Sequence, residues 1–540
     1  MNITAKFFVP LAIITIVFML PAVLVDNAAL TLMLISAVIF AVLVYAKGIY
    51  RIDFNPDSRY QKAIFALVTA ILVIFSFFVC AVSIEDEWLH QYPLEDSIDH
   101  YGCYPQMFDA FQKGQLNIDT EYDLSIIDSL ENPYDTAARR QATGEKFSVI
   151  WDRAYFEGKL YSYFGIAPVI FLYYPVYFLT GAVLSDALAA AIMVAVACIF
   201  LMLTLWELCA RIKGKVPFLL MLLGGITLPF GALLWSTETC ANFYHLAVLS
   251  GICAVLAFFY FVLRAERAAD GSKRKLFFAI CGVTVAAIVA SRPNMVLYVF
   301  IALPLLINII IKRPFGEKSL LGDIISFCLP MLALGGLIMA YNYARFGSVF
   351  DFGANYQLTL ADTSTYSLSG GLFIPSLYHF FLNPPTLNEV FPYIHPASRR
   401  WESYNVMRVV YTDKTVGALF FPAVWGGALL PMIRRNKVGF ITGAIAIVSV
   451  IFISFFDMCY GGTHLRYSAD IMFILMLMGV YLIIFAISKT KKGSIGYTVI
   501  YTLAVVLFAL TVMMELPLCF DNERDMIMKF HREFYEMIAM

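Results

Sequence analysis

About thirteen apolar runs, many of them close to 20 residues, recur along the 540-residue sequence, and that recurrence limits the fold more than any motif does. A helix needs about 20 apolar residues to cross ~30 Å of hydrocarbon. The runs are too long for the ~10-residue alternation of a membrane β-barrel. Hydrophobic residues make up 61% of the chain and charged residues 14%, against roughly a quarter charged in soluble domains. Lipid can cover that much apolar surface, whereas a soluble core cannot. The expected fold is an all-α polytopic membrane protein of about 13 transmembrane helices, with a mixed, partly helical outer loop after the third span.

The runs place spans at roughly 7–25, 28–46, 63–82, 185–209, 217–236, 243–263, 276–291, 295–311, 323–343, 415–432, 438–456, 470–488 and 494–514. Short cytoplasmic loops collect Lys and Arg. That rule puts inside the loops carrying Lys47 to Lys62, Arg211 to Lys215, Arg264 to Lys275, Lys312 to Lys318, Arg434 to Lys437 and Lys489 to Lys492. Residues 83–160 and 344–414 then fall outside, as does the tail from 515. Parity allows only one crossing between the first outer loop and Arg211, yet two apolar stretches lie there. The stretch 161–180, with Pro168, Pro175 and many tyrosines, is therefore read as interfacial or re-entrant. The expected organisation is 1–62 (two extra spans and a cytoplasmic loop), a core at 63–343, a second outer loop at 344–414, C-terminal spans at 415–514 and an outer tail at 515–540.

The net charge of −1 and the lack of a basic domain argue against nucleic acid as a partner. Cys198, Cys253, Cys281 and Cys328 lie inside apolar runs, where a thiol behaves as a small hydrophobe. No Cys/His spacing suggests a metal. The N-terminus reads as an uncleaved first span.

Polar chemistry gathers in the expected outer segments. Residues 83–160 hold sixteen acidic and six basic residues. Glu95, Asp96 and Asp99 follow the third span closely, and a carboxylate there can accept a proton from a hydroxyl attacking a membrane-held donor. Arg292, in Ser291-Arg-Pro-Asn294, and Arg466, in Tyr460-Gly-Gly-Thr-His-Leu-Arg-Tyr467, stand alone in short outer loops. A cation near hydrocarbon is either paired with an acid, here Asp457 or Asp470, or kept for function. A guanidinium also fits phosphate oxygens. Glu238, Asn242 and His245 cluster at the outer end of the 217–263 hairpin and are candidates to line the same cavity, or are simply satisfied helix-end groups.

Several stretches carry a family likeness: Ala110-Phe-Gln-Lys-Gly-Gln-Leu116, Asn132-Pro-Tyr134, the segment from Trp151-Asp-Arg-Ala-Tyr155 to Gly165, Ser291-Arg-Pro293, Asn342 to Gly353, and Gly461-Gly-Thr-His-Leu-Arg-Tyr467. Over about residues 63–480 the chain resembles the GT-C superfamily of integral-membrane glycosyltransferases, in particular the protein O-mannosyltransferases and the lipid A aminoarabinose transferases. The resemblance implies an enzyme of the cell membrane with its active site on the extracytoplasmic face. It would take a sugar from a polyprenyl-phosphate carrier and deliver it to a glycan, lipid or protein acceptor. It assigns the base to the first outer loop, where Asp99 is preferred and Asp96 is the alternate, with Glu95 nearby. It gives the carrier phosphate to Arg292 and Arg466. The chain departs from the pattern in two extra N-terminal spans and in lacking a clean Asp-Glu pair.

Direct displacement at the anomeric carbon, with inversion, fits this layout. Arginines would neutralise charge on the departing phosphate, where stabilisation helps most. Trp151, Asp152, Tyr155, Glu238 and His245 are candidates for holding sugar or acceptor. The rivals are a transporter or flippase of a lipid-linked sugar, and a non-catalytic assembly factor.

Overall fold

The computed structural model describes residues 52–84, 88–92, 102–120, 122–144, 151–311, 318–401, 412–522 and 525–539. The spans expected at 7–25 and 28–46, and the acids Glu95, Asp96 and Asp99, lie outside the described residues.

Among the described residues, ten helices are long and apolar enough to cross a membrane: α1 Arg59–Ala81, α2 Asp186–Cys209, α3 Phe218–Glu238, α4 Phe243–Arg267, α5 Gly271–Ser291, α6 Pro293–Ile311, α7 Leu320–Phe346, α8 Lys437–Tyr460, α9 Leu465–Ser488 and α10 Ile495–Leu518. Several start at a side chain that caps their orphan N–H groups. Ser58, Ser185 and Ser494 accept from Gln61, Leu188 and Tyr497, and Asn242, Asp270 and Asn436 do the same for α4, α5 and α8. Helices α2, α4, α5 and α7 pack side by side in that order, with α1 against α2 and α10 against α3. α7 is apolar yet almost unburied: Leu321, Leu329, Leu332 and Leu337 are exposed. Water would not tolerate such a stripe, so this surface belongs to lipid. The chain is a multi-pass membrane protein.

The loops rich in lysine and arginine meet at one end of the bundle. Phe54 N–H donates to the Val216 carbonyl and Phe218 N–H to that of Ile52, Lys492 pairs with Asp53 at 2.5 Å, and Lys489 donates to the Lys213 carbonyl at 2.7 Å. At the opposite end, expected from the Lys/Arg distribution to be the outer one, Asp152 N–H donates to Leu358 and Arg345 donates to the Ser162 carbonyl, so the segments before and after the central spans are bound together. Asp521 of the tail reaches His395 and Lys414 at that same end.

The chain between α1 and α2 leaves and re-enters the outer end. Leu89–Gln91 pairs antiparallel with Ala182–Leu184, just before α2, so the apolar helix Val169–Thr180 begins and ends on one side. It does not cross, as parity requires.

The span expected as an α-helix at 415–432 takes another form. It is built of 3₁₀ turns, Ala418–Phe420 and Pro422–Ile433. It nevertheless runs the length of the bundle: Thr415 bonds Ala397 at the outer end, and Arg434 adjoins the start of α8 at the basic end. Pro422 and Pro431 each remove an N–H, and Thr511 of α10 accepts from the Ala423 N–H at 2.9 Å. A 3₁₀ helix rises ~2.0 Å per residue instead of ~1.5 Å. Sixteen residues (418–433) therefore cover roughly 32 Å, a bilayer core that the same number in an α-helix would not reach.

Candidate active site at the outer end

Arg292 caps the end of α5 and starts α6. The chain segment that ends the first outer loop comes very close there, because a Cβ on Gly165 would lie 2.0 Å from the Ala290 carbonyl oxygen and 2.5 Å from that of Ser291. Only a glycine allows this approach, which accounts for the last residue of the Trp151 to Gly165 stretch.

The Arg292 guanidinium lies 2.5 Å from Asp470 Oδ2 and 3.2 Å from Asp457 Oδ1. Both acids are buried, and Asn294 donates to Asp457 as well, at 3.0 Å. The sequence offered phosphate or carboxylate as partner for this cation, and the fold supplies two carboxylates.

Arg466 is the second residue of α9, one before Tyr467. Its guanidinium carbon is 5.0 Å from the centre of the Tyr467 ring and 4.8 Å from that of Tyr244. The Arg292 guanidinium carbon also lies 5.0 Å from the Tyr467 ring, so the two arginines share one aromatic platform. A Cβ on Gly461 would sit 2.4 Å from the Tyr467 ring. Gly461 thus leaves the room in which that ring lies. The tyrosines were not singled out from the sequence. Their signal was the glycine pair one turn ahead of an Arg-Tyr dipeptide.

Asp152 is brought to the same place. Its backbone is left-handed, with φ 54, a conformation Asp tolerates better than most residues. It is held there by the Leu358 carbonyl, while Leu358 N–H donates back to Arg153. Burial pushes the Asp152 carboxyl up to about 6. Hydrogen bonds from Thr359 and Trp151 and the charges of Arg153 and Arg466 oppose that rise. The neighbouring Tyr163 hydroxyl is pushed well up by burial and then by Asp152 and Tyr467, with Arg466 pulling it down. Arg153 itself bonds Gln106 at 2.9 Å and lies over the Phe243 ring. The two arginines and the Tyr467 and Tyr244 rings therefore meet at the adjoining ends of α4, α5 and α9, with Asp152 and Tyr163 close enough to feel the Arg466 charge.

The other sequence candidates fall elsewhere. Tyr155 is in the small core of the outer loop with Ile118, Ile127, Leu160 and Leu358, and donates to Asp128. Its ring serves that core and offers no free face for a sugar. Glu238 and His245 are both buried. Glu238 is buried against Ser76 of α1 at 3.1 Å, while His245 is buried beside Asn242, Nδ1 to Oδ1 2.8 Å. Arg345 is held by Ser162 and Asn342 and sandwiched by Tyr341 and Phe346, which makes it a clamp between α7 and the outer loop. Trp151 is half-buried beside Asp152.

No known family pattern matches the chain, and no curated protein does. Among solved structures, an archaeal oligosaccharyltransferase, AglB from Archaeoglobus fulgidus in complex with an inhibitory peptide and a dolichol-phosphate, aligns with a TM-score of 0.40 and 13% identity. The alignment covers 86% of this chain and 57% of that one, so the chain spans little more than half the length of the protein it matches. At 0.40 the likeness carries no weight for fold, substrate or acceptor.

Proposed function

We propose that this protein is a membrane glycosyltransferase that moves a sugar from a polyprenyl-phosphate carrier to an extracytoplasmic acceptor, with inversion. The observation that carries the reading is the sharing of the Tyr467 ring by Arg292 and Arg466 at one end of an apolar bundle, with Asp152 and Tyr163 within reach of the Arg466 charge. A lipid-linked donor would keep its tail in the bilayer and present its phosphate at that depth. Arg466 would bind the phosphate, and Arg292, its charge already answered by Asp457 and Asp470, would fix Tyr467 beneath it. An acceptor hydroxyl oxygen attacks the anomeric carbon, the carbon–oxygen bond to phosphate breaks, and the hydroxyl proton passes to a carboxylate. The freed polyprenyl phosphate keeps the electron pair and stays on the arginine.

The sequence resemblance assigns the base to Asp99, with Asp96 as alternate. Asp152 is a third candidate, because it lies within reach of the Arg466 charge and burial raises its carboxyl to about 6, so that it accepts a proton readily at neutral pH. Purified protein in liposomes, given radiolabelled polyprenyl-phosphate hexoses and pentoses with candidate acceptors, tests the reading. Loss of the base costs on the order of 10²–10⁴ in rate, so only one of Asp99→Asn, Asp96→Asn and Asp152→Asn should show that loss with donor binding kept. A flippase would move the labelled lipid across the bilayer with its glycosidic bond intact. That outcome, with no polyprenyl phosphate released, would overturn the transferase reading.

A further inference from the structure

A second site lies at the opposite end of the bundle. A cavity of about 1470 Å³ opens there between α2, α4, α6, α8, α9 and the foot of the Pro422–Ile433 segment. Ligand sites usually hold about 300–1,000 Å³, so this void is large. Its deep wall is apolar, with Leu305, Leu477 and Met478 facing it. Its rim is basic, carrying Lys213, Arg434, Arg435, Lys437 and Lys489.

Among the described residues the rim charge is not cancelled. Glu266, which also lines the cavity, is already bound by Arg211 at 3.0 Å. Arg434, Arg435 and Lys437 are exposed and have no carboxylate partner among the described residues. Lys489 spends one hydrogen bond on the Lys213 carbonyl and rests on the Phe485 ring at 4.9 Å. Five cations therefore ring the mouth of an apolar chamber.

We infer that this cavity binds an anionic phospholipid of the leaflet at the basic end, with its phosphate on Arg434, Arg435 and Lys437 and an acyl chain against the deep wall. A neutral lipid has no use for the cations, and a soluble phosphate has no use for the wall. Only a phosphate joined to a hydrocarbon chain satisfies both. Basic pockets between transmembrane helices on the cytoplasmic side hold such headgroups in general.

Native mass spectrometry of the full-length protein in detergent tests this, with phosphatidylglycerol, phosphatidylcholine of the same chains, and glycerol 3-phosphate as probes. Phosphatidylglycerol should bind saturably at one site, and glycerol 3-phosphate should not displace it. Each basic side chain near an anionic headgroup is worth roughly a factor of five. The triple variant Arg434→Ala, Arg435→Ala, Lys437→Ala, changed only at exposed positions, should therefore lose at least about tenfold in affinity. Thr442→Trp fills the chamber without altering charge and should weaken binding as well. Unchanged phosphatidylglycerol affinity in both variants, equal affinity for phosphatidylcholine, or displacement by glycerol 3-phosphate as readily as by the lipid would each overturn the inference.

Discussion

Arg292 and Arg466, 174 residues apart in the chain, each hold the guanidinium carbon 5.0 Å from the centre of the Tyr467 ring. Because Gly461 leaves the space for that ring, one methyl group added at Gly461 should disturb both cations at once. Gly461→Ala should weaken binding of polyprenyl phosphate at least about tenfold. Gly370→Ala, whose new Cβ would meet nothing within 4 Å, should bind as the parent does. Tyr467→Phe keeps the ring and should stay near the parent, while Tyr467→Leu should resemble Gly461→Ala. Equal affinities for polyprenyl phosphate across the four variants would remove Tyr467 from the site.

The two arginines should separate in their effects on stability. Removing Arg292 leaves Asp457 and Asp470 buried and uncompensated, and breaking a buried pair in this way costs about 3–5 kcal/mol. Arg292→Ala should unfold early in mixed-micelle denaturation, and adding Asp470→Asn should restore part of the loss. Arg292→Lys should fall between, since an ammonium lacks the planar fork. Arg466→Ala lies over rings and should cost far less stability while reducing donor binding. If Arg292→Ala unfolds with the parent, the paired-carboxylate account is wrong.

Much of this was legible in the sequence, for a physical reason. Apolar length and Lys/Arg placement are local signals. They sufficed for the ten long helices and for the failure of 161–180 to cross. The 3₁₀ form of 418–433 was not legible, since hydropathy reports apolar length and is blind to rise per residue. Arg292 and Arg466 stood out because an isolated cation beside hydrocarbon needs a reason to be there. The ring between them did not stand out, because 31 tyrosines dilute any single one. Asp152 was placed in the site from its Trp-Asp neighbourhood. Its burial depends on Leu358 and Thr359, some two hundred residues onward, and no local pattern reveals that contact. Tyr155 was a candidate for holding sugar because it is an aromatic in the outer loop, but its strand pairs with Leu160 in a short hairpin and its ring packs into the core of that loop.

Asp152 should leave a mark on the pH dependence of stability. An unfolded Asp releases its proton near 3.9, whereas burial holds the folded Asp152 proton up to about 6. Between those values the folded state binds more protons. The contribution is therefore fully present below about pH 4 and is lost as pH rises through 6. Asn does not titrate, so the parent should lose stability relative to Asp152→Asn between pH 4.5 and 6.5 in mixed-micelle unfolding. Parallel curves for the two proteins would mean that Asp152 titrates normally.

The sidedness of the bundle is open to direct measurement, and the native cysteines make it convenient. Of the ten, Cys80, Cys103, Cys198, Cys209, Cys240, Cys281, Cys459 and Cys519 are buried, and Cys253 and Cys328 are half-buried, so background labelling by a charged maleimide should be low. Ser129 is exposed on the first outer segment, and Lys491 is exposed in the loop between α9 and α10. The Lys/Arg distribution puts the Lys491 loop in the cytoplasm. The packing joins that loop to the 52–54 segment through Lys492 and Asp53. Ser129→Cys should react in intact cells, and Lys491→Cys only after permeabilisation. The reverse pattern would place Arg292, Arg466 and Asp152 on the cytoplasmic face. There they would meet sugar donors carried on nucleotides rather than on lipids, and the transferase proposed above would lose its donor.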